Sequence, residues 1–391
     1  MKNLLILIII LFIQTVCYSQ RNATQESMNI FSFKLYEQLF NKTENCFFSP
    51  FSVYGALSMT YAGAKEGTKL EMEKVLEIND ENIHHSELKS LTNSIALNRE
   101  LQFLSSNSLW LQKNFKLDKD YSRQIEENYL AKSKNVDFAN GNDREKARNE
   151  INLFVDKQTK GNITDFIKPG VLSENTSMVL INAVYFKSIW QTEFLPAETK
   201  AEKFLSSSGD SVDCKMMNTE LKTNYYEDEF AQYIEIPYQS QKASFFVILP
   251  NESNKDNFQF FNYQYFHKAG KSSTSKQVKL SLPAFKMDVN YDLSDALKKT
   301  GMKSAFEPGA NFSGITGAKD LLISSILHKS VIDVSEKGTE ASSTTAVIAM
   351  RSTSVPSKEP VVFKANHSFI FLIKENSTGL ILFMGYLTKP N

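Results

Sequence analysis

Four short runs of almost unbroken apolar residues, Met178–Phe186, Phe245–Leu249, Phe369–Ile373 and Ile381–Met384, constrain this chain more than any other feature. A strand with water on one face alternates apolar and polar residues. These runs do not alternate, so each reads as a strand covered on both faces. The last two flank Glu375-Asn376-Ser377-Thr378-Gly379, a turn, and form a hairpin near the end of the chain. Sheets buried in this way need helices against them, and the first third of the chain supplies them. Glu26 to Asn41 place Ile30, Phe31, Phe33, Leu35, Leu39 and Phe40 on one broad stripe. Ser52–Ala62, Thr68–Ile78 and Arg144–Lys160 are further helical segments, the last with Ile151, Phe154 and Val155 inward. Helices gather early and strands late, without regular alternation, which is an α+β arrangement. With 391 residues, 42% of them hydrophobic and 29 of them Phe, one large core can be filled.

One segment does not fit such a core. From Glu336 to about Glu359 the chain is small and polar, carries no apolar stripe, and has Pro356 near its end. Loops beyond about 12–15 residues are usually functional or disordered. Here the apolar strands that complete the core follow the loop, so both its ends are anchored and it reads as functional.

Lys and Arg number 44 and Asp and Glu 44, which gives no net field toward nucleic acid or an anionic membrane. The N-terminus has Lys2, an apolar run from Leu4 to Phe12 that loosens toward Val16, and then Tyr18-Ser19-Gln20-Arg21. Gln14 and Thr15 leave that run short of the roughly 20 residues a membrane span needs. Residues 1–19 therefore read as a secretory signal peptide, and 20–391 as a secreted, extracellular chain with no membrane association after cleavage. Cys17 leaves with the signal, while Cys46 and Cys214 lie in apolar, strand-like surroundings and read as buried free thiols. Asn22, Asn41, Asn162, Asn175, Asn251, Asn311 and Asn376 head glycosylation sequons; Asn366 heads another between the buried-looking Phe363 and Phe369.

Catalytic and cofactor patterns are missing. The five histidines have no metal-ligand spacing, and no G-x-S-x-G elbow, phosphate loop or dinucleotide fingerprint occurs. The expectation is a protein that is not an enzyme and holds no metal or cofactor. His84-His85 lie in a polar helical stretch and read as a solvated face, whereas His328 and His367 flank apolar strands and read as satisfied core histidines.

Several motifs, in order along the chain, resemble one family. Asn45-Cys46-Phe47-Phe48-Ser49-Pro50-Phe51-Ser52 followed by Ala62-Gly63-Ala64, Asn182 to Trp190, Glu336 to Ser342, Phe363 to Phe369 and Leu382-Phe383-Met384-Gly385 are similar to serpin signatures. Ser188 stands where a Gly is usual, and Asn366 and Ser368 replace the more usual Asp and Pro. The resemblance implies a single-domain fold of three β-sheets and eight or nine helices, monomeric, with a reactive-centre loop at about 336–359. It also implies a mechanism. A target serine protease attacks the loop and forms an acyl-enzyme, and the cut loop inserts as a new central strand. About 14 residues at roughly 3.3 Å each carry the protease some 45 Å, distorting it before deacylation.

The implied hinge is Glu336, Gly338, Thr339, Glu340, Ala341, Ser342 and Ser343. Alternate residues from Thr339 (Ala341, Ser343, Thr345, Val347, Ala349) are uncharged and suited to a core, while Glu340, Ser342, Thr344 and Ala346 can face solvent. No proline interrupts them, which points to the inhibitory type. Ser49, Ser52, Asn182 and His328 match the shutter beneath the sheet; Trp190 and Glu336 match the breach, where insertion begins. The usual basic partner of that Glu falls at Ala284, and Lys286 is a candidate substitute. Arg351–Ser352 resembles a reactive bond for a trypsin-like protease. The usual spacing lands on Ser352–Thr353, an elastase-like frame, and Met350 is a third candidate. Between His84 and Glu100 only Lys89 and Arg99 are basic, so glycosaminoglycan binding is unsupported. A non-inhibitory carrier or storage serpin and a cysteine-protease inhibitor are the competing readings.

Overall fold

The computed structural model describes residues 23–339 and 359–390 apart from 97, 99, 100 and 256. The signal segment, Asn22, the hinge residues Glu340, Ala341, Ser342 and Ser343, and the bonds at Met350, Arg351, Ser352 and Thr353 lie outside them. The elements are α1 (23–39), β1 (Cys46–Phe48), α2 (Pro50–Tyr61), α3 (Glu66–Leu76), α4 (Glu81–Ala96), β2 (Gln102–Gln112), α5 (Lys119–Tyr129), β3 (Lys132–Val136), α6 (Gly141–Gln158) and β4 (Met178–Ile189). There follow β5 (Lys200–Leu205), β6 (Ser211–Glu227), β7 (Ala231–Pro237), β8 (Ala243–Pro250), α7 (Tyr263–Ser272), β9 (Thr274–Pro283), β10 (Phe285–Asp292), α8 (Ser294–Thr300) and α9 (Ser313–Thr316). The chain closes with β11 (Ser325–Ser335), β12 (Gly338–Thr339), β13 (Val361–Lys364), β14 (Phe369–Glu375) and β15 (Ile381–Leu387). The α+β class holds, with nine helices among the described residues.

The four apolar runs are central strands, as their patterning requires. In β4, Met178, Leu180, Val184 and Phe186 enter the main core, while Val179, Ile181, Ala183 and Tyr185 enter a second core beneath α6. That helix contributes Ala147, Ile151 and Val155, and Phe154 packs edge-on against Trp110. β4 belongs to a six-stranded sheet ordered β10-β11-β12-β4-β2-β3. The remaining strands form a nine-stranded sheet, β1-β15-β14-β8-β7-β6-β9-β13 with β5 on β6. The three expected sheets thus appear as two hydrogen-bonded ones. The long β6 pairs β9 over most of its length and β7 at its end, joining the two smaller sheets.

The terminal hairpin closes as expected. The Glu375 carboxylate accepts from the backbone and hydroxyls of Ser377 and Thr378, and Gly379 takes φ +76. Between the sheets runs α2, buried on nearly every side. Ser49 caps it by accepting from the Ser52 backbone N–H, and Pro50 starts it. Cys46 and Cys214 are free and buried, as their surroundings suggest. No helix among the described residues is long and apolar enough to cross a membrane.

Candidate functional site

In the six-stranded sheet, β4 and β11 run parallel and pair from Val179–Ser325 to Tyr185–Val331. Beyond Tyr185 and Val331 they part, and β12 fills the gap. Gly338 and Thr339 pair antiparallel with Ser335 and Val334 of β11 and with Ile189 and Ser188 of β4. The chain leaves β11, turns at Glu336-Lys337 and re-enters the sheet as a two-residue strand between its own neighbours.

A compact set of side chains fixes that turn. Trp190 donates its backbone N–H to Lys337 O at 3.0 Å and its indole Nε1–H to Ser335 O at 2.9 Å. Its ring stacks on Tyr238, centroids 4.7 Å apart. The Tyr238 hydroxyl in turn shares a 2.6 Å hydrogen bond with Thr339 Oγ1. Phe194 N–H donates to Glu336 O, and Thr199 Oγ1 donates to the Glu336 carboxylate at 3.0 Å. The Lys286 partner considered for Glu336 is corrected. Lys286 faces Asp333 across the β10–β11 ladder and pairs with it at 4.0 Å, because strand register places those two side chains opposite each other. Gly338 is required where it stands. A Cβ there meets Ser188 O at 2.2 Å and Ile189 Cα at 2.8 Å, both backbone atoms.

Lower in the sheet, the paired residues Asn182 and His328 carry a buried polar network. His328 Nδ1 bonds Asn182 Oδ1, and its Nε2 accepts from the Ser49 backbone N–H at 3.1 Å, which assigns the tautomer. Asn182 Nδ2 donates to Ser52 Oγ at 2.6 Å and to Asn107 Oδ1. Ser52 Oγ lies 3.0 Å from Ser105 Oγ, and Ser49 Oγ donates to Leu382 O at 2.7 Å. Burial holds the His328 imidazole neutral, down to about 3. The network ties β2, β4, β11, β15 and the start of α2 together at the point where β4 and β11 must separate if β12 is to lengthen.

The structure therefore unites Ser49, Ser52, Asn182 and His328 in one cluster, and Trp190, Glu336, Gly338 and Thr339 in another. Sequence reading missed Asn107, Ser105, Tyr238, Thr199 and Phe194. Asn107 was the accessible one, since it sits among polar Ser residues in a segment whose end, Leu109-Trp110-Leu111, is buried. Two further expectations change. His84 is not on a solvated face: it is 3% exposed, and the spacing His84, Leu88, Ile95 marks the buried stripe of α4. Asn311 is 4% exposed, its Oδ1 accepting from Ser313 N–H, and the folded chain has no room there for a glycan. Asn41, Asn162, Asn175 and Asn376 are exposed and Asn251 is half-buried. His367 is a satisfied core histidine, with Nε2 2.8 Å from Pro250 O. The described residues contain no cluster of acidic, His and Cys side chains able to hold a metal ion.

A family model for the serpins, serine protease inhibitors, matches residues 26–390. The chain is a serpin. An uncharacterised serpin-like protein of Thermococcus kodakarensis is 37% identical over 95% of this chain and 87% of its own. The leukocyte elastase inhibitor of Bos taurus is 34% identical over 90% and 94%. Among solved structures, human thyroxine-binding globulin superposes with a TM-score of 0.85 at 28% identity, over 95% of this serpin and all of that chain. The single-domain serpin fold is thereby shown.

Proposed function

We propose that this serpin is a secreted suicide inhibitor of a trypsin-like serine protease, cleaved at Arg351–Ser352 and acting by insertion of its cut loop. The carrying observation is the register of β12. Continued one residue at a time, the pairing of Gly338 and Thr339 sets Ala341 between Ile332 and Phe186, and Thr345 between His328 and Asn182. His328 and Asn182 are already partners in the β4–β11 ladder, so one register satisfies both neighbours along the whole gap. An entering strand needs no slip of either flank, only the exchange of a parallel pairing for two antiparallel ones.

The same register sorts the side chains. Ala341, Ser343, Thr345, Val347 and Ala349 fall beside Phe186, Val184, Asn182, Leu180 and Met178, which face the main core. Ser342, Thr344 and Ala346 fall beside Tyr185, Ala183 and Ile181, which face the α6 core. In this register that second face would lie beneath α6, a place that suits small residues. Glu340 falls at the wide end, between Lys187 and Asp333. The ladder runs out where Ala349 meets Met178, the first residue of β4. Arg351 lies two residues past that point and is the one basic residue between Lys337 and Lys358, which supports it as the acylated residue. An Arg there selects proteases with an acidic specificity pocket.

Two other readings remain distinct. The bovine relative's name makes an elastase-like target the alternative, through Ser352–Thr353, and thyroxine-binding globulin exemplifies a carrier on this fold. The uncharged, proline-free run from Thr339 to Ala349 supports the inhibitor over the carrier. Secretion rests on residues 1–19, and glycosylation on the exposed sequons. Incubation of the mature chain with trypsin is expected to give a covalent complex that survives denaturant, and a released peptide beginning at Ser352. Cleavage without a complex across a protease panel contradicts inhibition; a peptide beginning at Thr353 moves the bond.

A further inference from the structure

The histidine pair on α4 lies outside both clusters described above, and its packing is unusual. His84 sits between Tyr54 and Tyr61 of α2, ring centroids 5.6 and 6.0 Å away, with Nε2 3.0 Å from Ser58 Oγ of the same helix. The His85 ring lies 5.5 Å from that of His84 and bonds the Tyr129 hydroxyl of α5 through Nδ1. Its Nε2 is buried without a hydrogen-bond partner, 3.6 Å from Glu81 Oε1 of α4. Neighbouring helices bring charged and titratable groups. On α3, Lys69 pairs with Glu81, Glu73 accepts from the Tyr61 hydroxyl, and Glu77 acts on Tyr54. From α5 come Tyr129 and, behind it, Tyr121. The carboxylate nearest His85 is thus already bound to a lysine, and His84 faces rings, a hydroxyl and a second imidazole.

We propose that the first turn of α4 is an acid-released latch on α2, held shut at neutral pH by the uncharged His84–His85 pair. Two protons placed on adjacent imidazoles repel each other, and among the described residues no carboxylate bonds His84. Opening exposes both rings to water, where each titrates near its ordinary value of 6.5. Burial lowers both in the closed form, His84 to about 3. Below about 6.5 the open form therefore binds more protons than the closed one, so acid favours opening and neutral pH keeps the latch at full strength. Ser49 caps α2, Ser52 lies in its first turn and Ser58 roughly 13 Å along from the cap, so the latch and the sheet centre bear on one helix.

Hydrogen exchange of the intact mature chain at about pH 7.5 and about pH 5, corrected for intrinsic rates, tests this. Protection of 81–96 should fall roughly tenfold or more relative to α6, which has no histidine. The double variant His84→Gln/His85→Gln should keep the α4-to-α6 ratio constant between the two conditions. Loss of α4 and α6 protection in parallel in the wild type, or an unchanged acid response in the variant, overturns the proposal. Should the variant not fold, histidine-labelled NMR of the wild type decides. His84 and His85 should stay neutral below pH 6 while α4 is protected, and ordinary titration of both in the closed form contradicts the latch.

Discussion

Gly338 has backbone of β4 where a side chain would go, and His328 has a hydrogen-bond partner on each ring nitrogen. Gly338→Ala must push β12 out of the sheet or bend Ser188 away. We expect a loss of about 1–3 kcal/mol, seen as a lower heat-inactivation temperature with the rest of the fold intact. His328→Ala leaves the Ser49 N–H and Asn182 Oδ1 buried with one fewer partner, at about 2–4 kcal/mol for the two groups. The imidazole also sets a pH dependence. It is neutral in the folded chain and titrates near 6.5 when unfolded, so stability rises with pH between about 3 and about 6.5 and is lost on acidification through that window. His328→Gln should flatten the His328 share of this slope in denaturation series across the window. At this scale the sequence was readable where polar residues stood inside apolar runs, as with Asn182 and His328. It was opaque where the partner came from a mixed segment: Asn107, Thr199 and Tyr238 carry no local sign of what they will meet.

Elements were more legible than their contacts. The unbroken apolar pattern of β4 required cover on both faces, and α6 and the main core provide it. Helix ends moved by a few residues where a cap decided them. α2 begins at Pro50 because Ser49 caps it, and α3 stops at Leu76 because Glu77 turns left-handed at φ 55. α4 departs from its pattern because His84, on the buried stripe with Leu88 and Ile95, looks polar in the sequence. The alternation from Thr339 to Ala349 is visible directly in the sequence, and the pairing of Gly338 and Thr339, if continued on insertion, would give it two defined faces. Thr345→Glu would place a carboxylate between Asn182 and His328 under the closed core. We expect trypsin to cut this variant at the normal rate while the covalent complex falls tenfold or more, measured as the ratio of complex to cleaved chain. Equal complex formation would remove Thr345 from the inserted face.

At the scale of the whole molecule, the sheet is closed at one end by the β4–β11 pairing and open at the other around β12. Filling that gap adds two ladders, roughly ten new backbone hydrogen bonds at about 1 kcal/mol net each. On the proposed insertion mechanism the intact chain is a kinetically held state, and cutting its loop should raise the thermal midpoint by tens of degrees. What the sequence alone did not reveal was this two-ended geometry, since it depends on parallel strands about 150 residues apart sharing one register with the segment that parts them. The central claim is that β12 is the first two residues of a strand waiting to be completed. A crystal structure of the chain cleaved after Arg351 tests it most directly. The expected result is a continuous strand from Gly338 to Ala349, antiparallel to both flanks, with Thr345 between Asn182 and His328. A structure in which Asn182 and His328 remain paired with each other after cleavage would contradict it.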